Sequence, residues 1–479
     1  MDDILNIRLN KKKALEEKGV YPYGRKFDKA NTLSAIVEDY QEGREVKTAG
    51  RLMTIRAHGG SIFADIKDCT GKLQLYFKRD ILGREDFDIL KQQLDIGDII
   101  GVGGTLFKTH KGETTVNVSS FTVLAKAIRP LPEKWHGLKD VEARYRQRYL
   151  DLIANDKVKD IFTFRSKLIS KTRSFLDERG YLEVETPMLQ PIPGGAAGRP
   201  FKTHHNVYDI DLFMRIAPEL YLKRLLVGGL DKVYEINKSF RNEGVSPRHN
   251  PEFTMLEAYT AYADYNDMME LTESLVAYLA GELLGKTEIA YKGQTVDLKP
   301  PWRRASFAEV MKENFNITKD DDVSVWARKL KAKGIDIESK DISRTKLINI
   351  IADALKPKEE ETSKKPIFVV DYFTELCPLA KTKPDDPSLS ERFELYIAGL
   401  EVANAYSELN DPIQQRARFE QQLETEPEAK LDEDFVKALE YGMPPAGGLG
   451  IGIDRLVMIL TGQESIREVI LFPQLKPEK

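Results

Sequence analysis

The stretch KVYEINKSFRNEGVSPRHNPEFTMLEAY, residues 232–259, gathers side chains that can handle phosphate, an aromatic base and a cation. An extended run ends in Phe240-Arg241-Asn242-Glu243. A loop carrying Gly244, Ser246, Pro247, Asn250 and Pro251 follows, and a second extended run starts near Phe253. Residues two apart in a strand share a face, so Arg241 and Glu243 point together, as do Phe253, Met255, Glu257 and Tyr259. Arg241, Arg248 and His249 suit a polyphosphate, because a guanidinium stays charged and binds phosphate oxygens bidentately. Phe253 offers a flat face to a nucleobase. A surface hairpin with ordinary ion pairs and a core phenylalanine is the plainer reading of the same residues.

The segment RFELYIAGLEVANAYSELND, 392–411, reads as a hairpin turning near Gly399. Glu394 and Glu401 lie on opposite arms near the turn, where two carboxylates can share a cation. Hard oxygen ligands of this kind suit magnesium bridging to a nucleotide phosphate. Asn404, Tyr406 and Glu408 alternate and project from one face, and carboxylates in such a row repel unless a cation relieves them. The alternative is a solvated sheet face, which the apolar neighbours Leu395, Ile397, Leu400 and Val402 weaken. In PPAGGLGIGIDRLVMILTG, 444–462, glycines alternate with apolar residues up to Asp454-Arg455, so the backbone can approach a strand or a ligand closely. Arg455 stands at a strand-to-helix junction where it can clamp a base or a phosphate. The stretch matches neither the P-loop nor the dinucleotide fingerprint. In EVETPMLQPIPGGAAGRPF, 183–201, the NH groups around Gly194 and Gly195 can receive a small ligand, or form a simple turn.

Several elements must position these residues. The chain has 479 residues, a soft expectation of about three domains. Hydrophobic residues at 41% and charged residues at 31% are the balance of a globular protein with a sizeable core. A net charge of -4 excludes a wholly electrostatic nucleic-acid binder but not one with a local patch. Two cysteines, Cys69 and Cys377, cannot build a disulfide framework, and no Cys/His cluster has zinc-ligand spacing. The start MDDILNIRLNKKK lacks a signal-peptide core and no apolar run spans a bilayer, so a reducing, cytoplasmic compartment and no membrane are expected. Residues 1–45 read as a charged helical segment whose basic run (Arg8, Lys11, Lys12, Lys13) either touches phosphate or forms a solvated face. Residues 46–128 alternate in short stretches broken by glycine turns, as in a small closed antiparallel barrel of the oligonucleotide-binding type. Residues 129–140 form a Pro/Gly linker, and 141–479 a second domain with a helical insertion at about 300–360. A helix is expected over 161–179, and Pro218 opens another at a favoured first position. The fold class is therefore α+β.

Together these segments resemble the three motifs of class II aminoacyl-tRNA synthetases: Gly180-Tyr181-Leu182 through Pro187-Met188-Leu189, FRNEG with its loop and Phe253, and GLGIGIDR. Within that class the chain is most similar to the lysyl-tRNA synthetases, almost end to end. GRLMTIR at 50–56, RPLPEKWHGL, RYRQRYLDLI, RIAPELYLKRL, NAYSELNDP and ILFP carry the likeness. The resemblance implies an N-terminal anticodon-binding barrel and a catalytic domain built on an antiparallel sheet flanked by helices, in a homodimer.

The resemblance also implies roles. Arg241 would bind the α-phosphate of ATP and the amino acid's carboxylate, with Glu243 beside it. Arg248 and His249 would hold the outer phosphates, Phe253 and Arg455 would sandwich adenine, and Glu394 and Glu401 would bind magnesium. For L-lysine, Gly195 and Glu219 would meet the α-amino group and Asn404 the carboxylate. Glu408, Tyr259 and Glu257 would meet the ε-ammonium, with Tyr406 on the aliphatic stem. On the barrel, Phe63, Gln74 and Glu113 would read anticodon bases of tRNA(Lys), with Arg51 nearby. The chain departs from the family at Phe373 and Cys377, where Pro and Ser are usual, and at Gly198, where Ala is usual. An aspartyl- or asparaginyl-type enzyme would need cationic or amide groups where Glu257, Tyr259 and Glu408 stand. A relative that lysylates a translation factor would lack the barrel, and a non-catalytic RNA-binding paralogue would not keep every ATP, magnesium and lysine position filled.

Overall fold

The computed structural model describes residues 2–132, 140–196, 198–337, 343–425 and 430–477. Residues 133–139 of the expected linker and 338–342 of the expected insertion lie outside the described residues. The chain divides into two compact units, Met1–Lys139 and Asp140–Lys479.

In the first unit five strands close a barrel: β1 (Glu45–His58), β2 (Ser61–Lys67), β3 (Lys72–Lys78), β4 (Ile99–Lys108) and β5 (Thr114–Ala125), in the order β1-β2-β3-β5-β4. Alternation in β2 sends Ile62, Ala64 and Ile66 inward, where they are buried, and Phe63 outward. Bulges at Leu52/Thr54, Ile99/Ile100 and Gly103/Gly104 bend the strands enough to close. The amino-terminal segment is not one helix. It forms Asp2–Glu17 and Leu33–Glu38, interrupted by Gly19 at φ 72 and by Pro22. Gly24 runs so close to the barrel that a Cβ there would lie 2.8 Å from Val123 O. Leu33 and Ile36 belong to the barrel's own core. The basic run is partly structural: Arg8 is buried and donates to the carbonyls of Ala127 (3.0 Å), Arg129 (3.1 Å) and Ile96 (3.1 Å). Lys11 pairs with Asp95 and Lys12 with Glu16, so phosphate contact by the whole run does not fit.

The second unit is built on an eight-stranded sheet. Its strands are β6 (Leu182–Glu183), β7 (Lys232–Phe240), β8 (Glu252–Ala261), β9 (Arg303–Ser306), β10 (Ile367–Phe373), β11 (Leu389–Ile397), β12 (Leu400–Ser407) and β13 (Ala446–Gly452). The order is β9-β10-β11-β12-β13-β8-β7-β6, antiparallel except for the outer pairs β9-β10 and β7-β6. One face packs on helices Asp156–Asp177, Tyr265–Leu284 and Ile453–Thr461 through a core that includes Phe175, Leu275, Leu279, Leu456 and Val457. The second and third of these helices are closed by local chemistry. Asp264 makes a capping box for the second, and Gly285 and Gly462 close the second and third at positive φ. Arg165 ties the layers by bonding Asp454 (2.5 Å) and Thr254 (3.0 Å), while Asp454 accepts from Thr254 N (2.7 Å). The region expected as a helical insertion contains the helices Phe307–Phe315, Val323–Ala332 and Arg344–Ala354 around Trp326 and Phe373, although its first residues enter the sheet as β9. Among the described residues no helix is long and apolar enough to cross a membrane.

Candidate functional site

The other face of the sheet carries the motifs. In β8, Phe253, Met255, Glu257 and Tyr259 alternate on this face. The last three pair across β13 with Gly452, Gly450 and Gly448, and two of those glycines pair onward with Asn404 and Tyr406 of β12. The glycine strand therefore makes a trough with a backbone floor between two side-chain walls. A Cβ at Gly448 would overlap Glu408 Oε1 and lie 2.5 Å from Tyr259, and one at Gly450 would lie 3.2 Å from Met255. This is the physical need behind the alternation.

At one end of the trough the helix Glu219–Val227 begins, preceded by Pro218 at a helical φ of -85. Glu219, Glu257 and Glu408 are all buried here, at 3%, 6% and 0% exposure. Tyr406 donates its hydroxyl to Glu219 (3.2 Å), and Tyr259 donates to Glu257 (3.3 Å). Tyr406 is thus fixed by hydrogen bonding as well as placed for packing. Gly195, at φ 84, presses the 191–196 loop on this helix, with Glu219 Cβ 3.0 Å from where its own Cβ would be. Burial first, then the charge of Glu219, pushes the Glu257 carboxyl up to about 8.

The sequence reading missed Lys223. It is fully buried, and its ammonium pairs with Glu219 (2.7 Å) and with Glu408. The Glu408 carboxylate therefore has a cationic partner within the chain itself. Its other oxygen, Oε1, has no hydrogen-bond partner. The two carboxylates keep Lys223 charged despite burial. Burial pushes Glu408 up, with Lys223 pulling it back and Glu219 adding to the push. The available signal was spacing, since Glu219 and Lys223 are one helical turn apart.

At the other end, Arg241 lies over the Phe253 ring at 5.2 Å from its centroid, and its buried Nε has no partner. Gly198 packs against Arg241. A Cβ there would lie 3.1 Å from Arg241 Cδ and 3.4 Å from Glu243 Oε1, so the glycine gives the guanidinium room. Arg455 donates to Glu401 O (2.7 Å), to Glu401 Oε2 (3.2 Å) and to His249 Nε2 (3.2 Å). Accepting at Nε2 leaves His249 Nδ1 to donate to Ser246 (2.9 Å). Burial and then the Arg455 charge lower the His249 pKa, so the ring is a neutral donor. Arg248 makes no ion pair among the described residues.

Glu394 and Glu401 share this face only because of a bulge between Leu395 and Tyr396, which sets Glu394 opposite Asn404 and Tyr396 opposite Glu401. Ala398 and Gly399, both at positive φ, make the two-residue turn. Glu394 accepts from Arg392 (2.6 Å) and Tyr396 (2.8 Å), and Glu401 pairs with Arg455. Two hard carboxylates fit a magnesium ion that takes its remaining ligands from phosphate and water. No group of three potential ligands occurs among the described residues.

In the barrel unit, Phe63 faces outward and stacks near Tyr76 (4.7 Å), which in turn lies near Phe107 (6.0 Å). Gln74 donates to Glu113 (2.9 Å) and accepts from Thr115 (3.0 Å). The structure differs from the sequence reading at Arg51, which donates to Gly97 O (2.7 Å) and pairs in register with Lys67, four residues along β2 from Phe63. The arginine opposite Phe63 is Arg56. The bulge at Leu52/Thr54 shifts the alternation between them, so counting from one arginine to the other fails.

Residues 140–476 match the family described as tRNA synthetases class II (D, K and N), and residues 46–124 match an OB-fold nucleic acid binding domain. The chain is 52% identical to the lysine–tRNA ligase of Pelotomaculum thermopropionicum, covering 100% of this chain and 96% of the relative. It is 52% identical to that of Carboxydothermus hydrogenoformans, covering 100% and 99%. It is also 52% identical to that of Bacillus subtilis, covering 99% and 98%.

Proposed function

The chain belongs to the lysine–tRNA ligase family of class II aminoacyl-tRNA synthetases, and on that footing we propose that the glycine-floored trough is where it activates L-lysine with ATP before passing the lysyl group to tRNA(Lys). The observation that carries the substrate is the trio of buried carboxylates, Glu219, Glu257 and Glu408, at one end of the trough. The cation there, Lys223, is already paired with two of these carboxylates, so an aspartate or asparagine side chain would meet excess negative charge, and a neutral side chain would leave buried charge unmatched. The family match by itself spans the D, K and N enzymes, so this pocket chemistry and the full-length relatives favour lysine among them.

In the proposed mechanism Arg241 holds the α-phosphate and the lysine carboxylate together, placing the carboxylate oxygen for attack on phosphorus. The P–O bond to pyrophosphate breaks, lysyl-adenylate forms, and a terminal ribose hydroxyl of the tRNA then displaces AMP. Phe253 supports adenine while Arg248 holds the outer phosphates, joined by His249 once its Nδ1–H turns from Ser246 to a phosphate oxygen. Glu394 and Glu401 would hold magnesium, which supplies charge neutralisation on the phosphates. Pyrophosphate exchange into ATP with each amino acid in turn is the test. Lysine alone should drive it, and exchange driven by aspartate, by asparagine or without any amino acid would sink this reading.

A titration follows from Glu257. Below about pH 8 this carboxyl holds a proton, and an ammonium brought against it favours the ionised form. Lysine binding then releases that proton. The KM for lysine should fall as pH rises from 6.5, by up to about tenfold per unit, and level off above about 8 while the KM for ATP stays flat. A flat lysine profile between pH 6.5 and 8.5 would remove Glu257 from the ammonium site.

The barrel face with Phe63, Tyr76, Gln74, Glu113 and Arg56 is the proposed anticodon reader, since aromatic stacking and edge hydrogen bonds read unpaired bases. Phe63→Ala should raise the KM for tRNA about tenfold, as loss of one stacked base contact does. Adenylate formation should stay intact, and an equal loss in both assays would indicate misfolding. A homodimer is supported by the open edge at β6. There Leu182, Met188, Leu189 and Phe472 are exposed beside a cleft of about 1250 Å³. The cytoplasm, where ATP and tRNA meet, is the proposed compartment.

A further inference from the structure

Three buried carboxylates meet at the ammonium end of the trough, and one cation of the chain stands among them. Lys223 rises from the helix Glu219–Val227 with no exposure, bonds Glu219 Oε1 at 2.7 Å one turn below, and pairs with Glu408 Oε2 across the pocket. Its ammonium lies 6.0 Å from the Tyr406 ring centroid, and Tyr406 itself donates to the second oxygen of Glu219. The single buried oxygen pointing into the pocket from Glu408 with neither an ion pair nor a hydrogen bond is Oε1. Lys223 therefore occupies one side of each of two carboxylates and leaves the other side of Glu408 open.

The formal charges are informative. With lysine bound and all three carboxyls ionised, Glu219, Glu257 and Glu408 contribute three negative charges and Lys223 one positive charge, a deficit of two. A lysine substrate carries two ammonium groups, and its carboxylate is matched separately by Arg241. Without Lys223, three carboxylates would face two substrate cations, and one carboxylate would remain buried without a partner in the complex, at considerable cost.

We propose that Lys223 is a positioning residue for substrate selection: its ammonium is the fixed counter-ion that bridges the two ends of the lysine pocket, holds Glu219 and Glu408 in place, and trims the pocket to the charge of one lysine. This rests on reading the pocket as the lysine site. The groups facing Lys223 are Glu219 from its own helix, the Tyr406 ring from β12 and Glu408 just beyond β12, while Glu257 and Tyr259 of β8 act on the far side through Glu219. Lys381 acts on Glu408, and Arg215 and Glu235 act on Glu257 from behind. None of these supplies a second cation in contact with both Glu219 and Glu408.

Lys223→Met removes the charge and keeps most of the volume, a change that buried ion pairs often tolerate in stability. At pH 7 its KM for lysine should rise about tenfold or more, recover toward the unaltered enzyme by pH 9, and leave the KM for ATP unchanged. Calorimetry in two buffers of different ionisation enthalpy should show about one more proton released per lysine bound than in the unaltered enzyme. Lys223→Arg keeps the cation and should retain the original pH profile even where its KM is higher. If Lys223→Met does not fold, Lys223→Gln against Lys223→Arg makes the same comparison. A neutral variant that binds lysine as well at pH 7 with an unchanged profile overturns the proposal. So does tighter binding, which would make Lys223 a mere competitor for Glu408. Absence of lysine-driven exchange in the unaltered enzyme would instead refute the pocket's assignment, so the two failures are distinguishable.

Discussion

Arg241→Ala lowers kcat/KM for lysine-dependent pyrophosphate exchange by about a thousandfold, roughly 4 kcal/mol, on the reasoning that it removes the donor aimed at the developing phosphate charge. The buried Nε without a partner shows a guanidinium whose hydrogen-bonding capacity the chain itself leaves unfilled. Its Cζ lies over the Phe253 ring, and Gly198 leaves its stem uncrowded. Arg241→Lys keeps a charge but not the two-pronged geometry, so it should recover only a small part of the loss. Single-turnover adenylate formation and thermal unfolding of both variants make the measurement. A loss under tenfold with folding intact would place the phosphate role elsewhere, with Arg248 the nearest candidate.

Glu408→Gln should raise the KM for lysine about a hundredfold, near 3 kcal/mol, because breaking one side of a fully desolvated charge pair is expensive. The amide fills the same volume, and Lys223 keeps Glu219 as its partner, so the fold should survive. The proposed ATP site lies at the opposite end of the trough, so ATP binding should be unchanged. The contrast with Arg241→Ala is diagnostic: one variant fails in lysine affinity and the other in turnover. An unchanged lysine requirement in Glu408→Gln would refute that role for Glu408.

Within single segments the sequence was legible. Alternation put Phe253, Glu257 and Tyr259 on one face, and Asn404, Tyr406 and Glu408 on another, and both faces turn toward the same trough. The glycine stretch announced a close approach, and the structure supplies its object: Glu408 and Tyr259 against Gly448. Counting failed where a bulge breaks the period. The bulge beside Leu395 brings Glu401 to the site face, and the one beside Leu52 separates Arg51 from Phe63 and puts Arg56 there. The amino-terminal helix failed for another reason. Its basic run looked solvated or phosphate-seeking, yet Arg8 is consumed by three carbonyls of its own unit.

The alternation of single segments determined which side chains share a face, because that depends on short-range periodicity, and the family was legible through the resemblance of its ordered motifs, not through composition. The pairing of groups from distant segments was decided only by the tertiary structure. Glu408 acquired Lys223, Glu401 acquired Arg455, and His249 was fixed as a neutral donor when the helix and strands closed over the trough. A sequence states which charges exist. Burial decides which of them must be neutralised by the protein itself and which are left for a substrate.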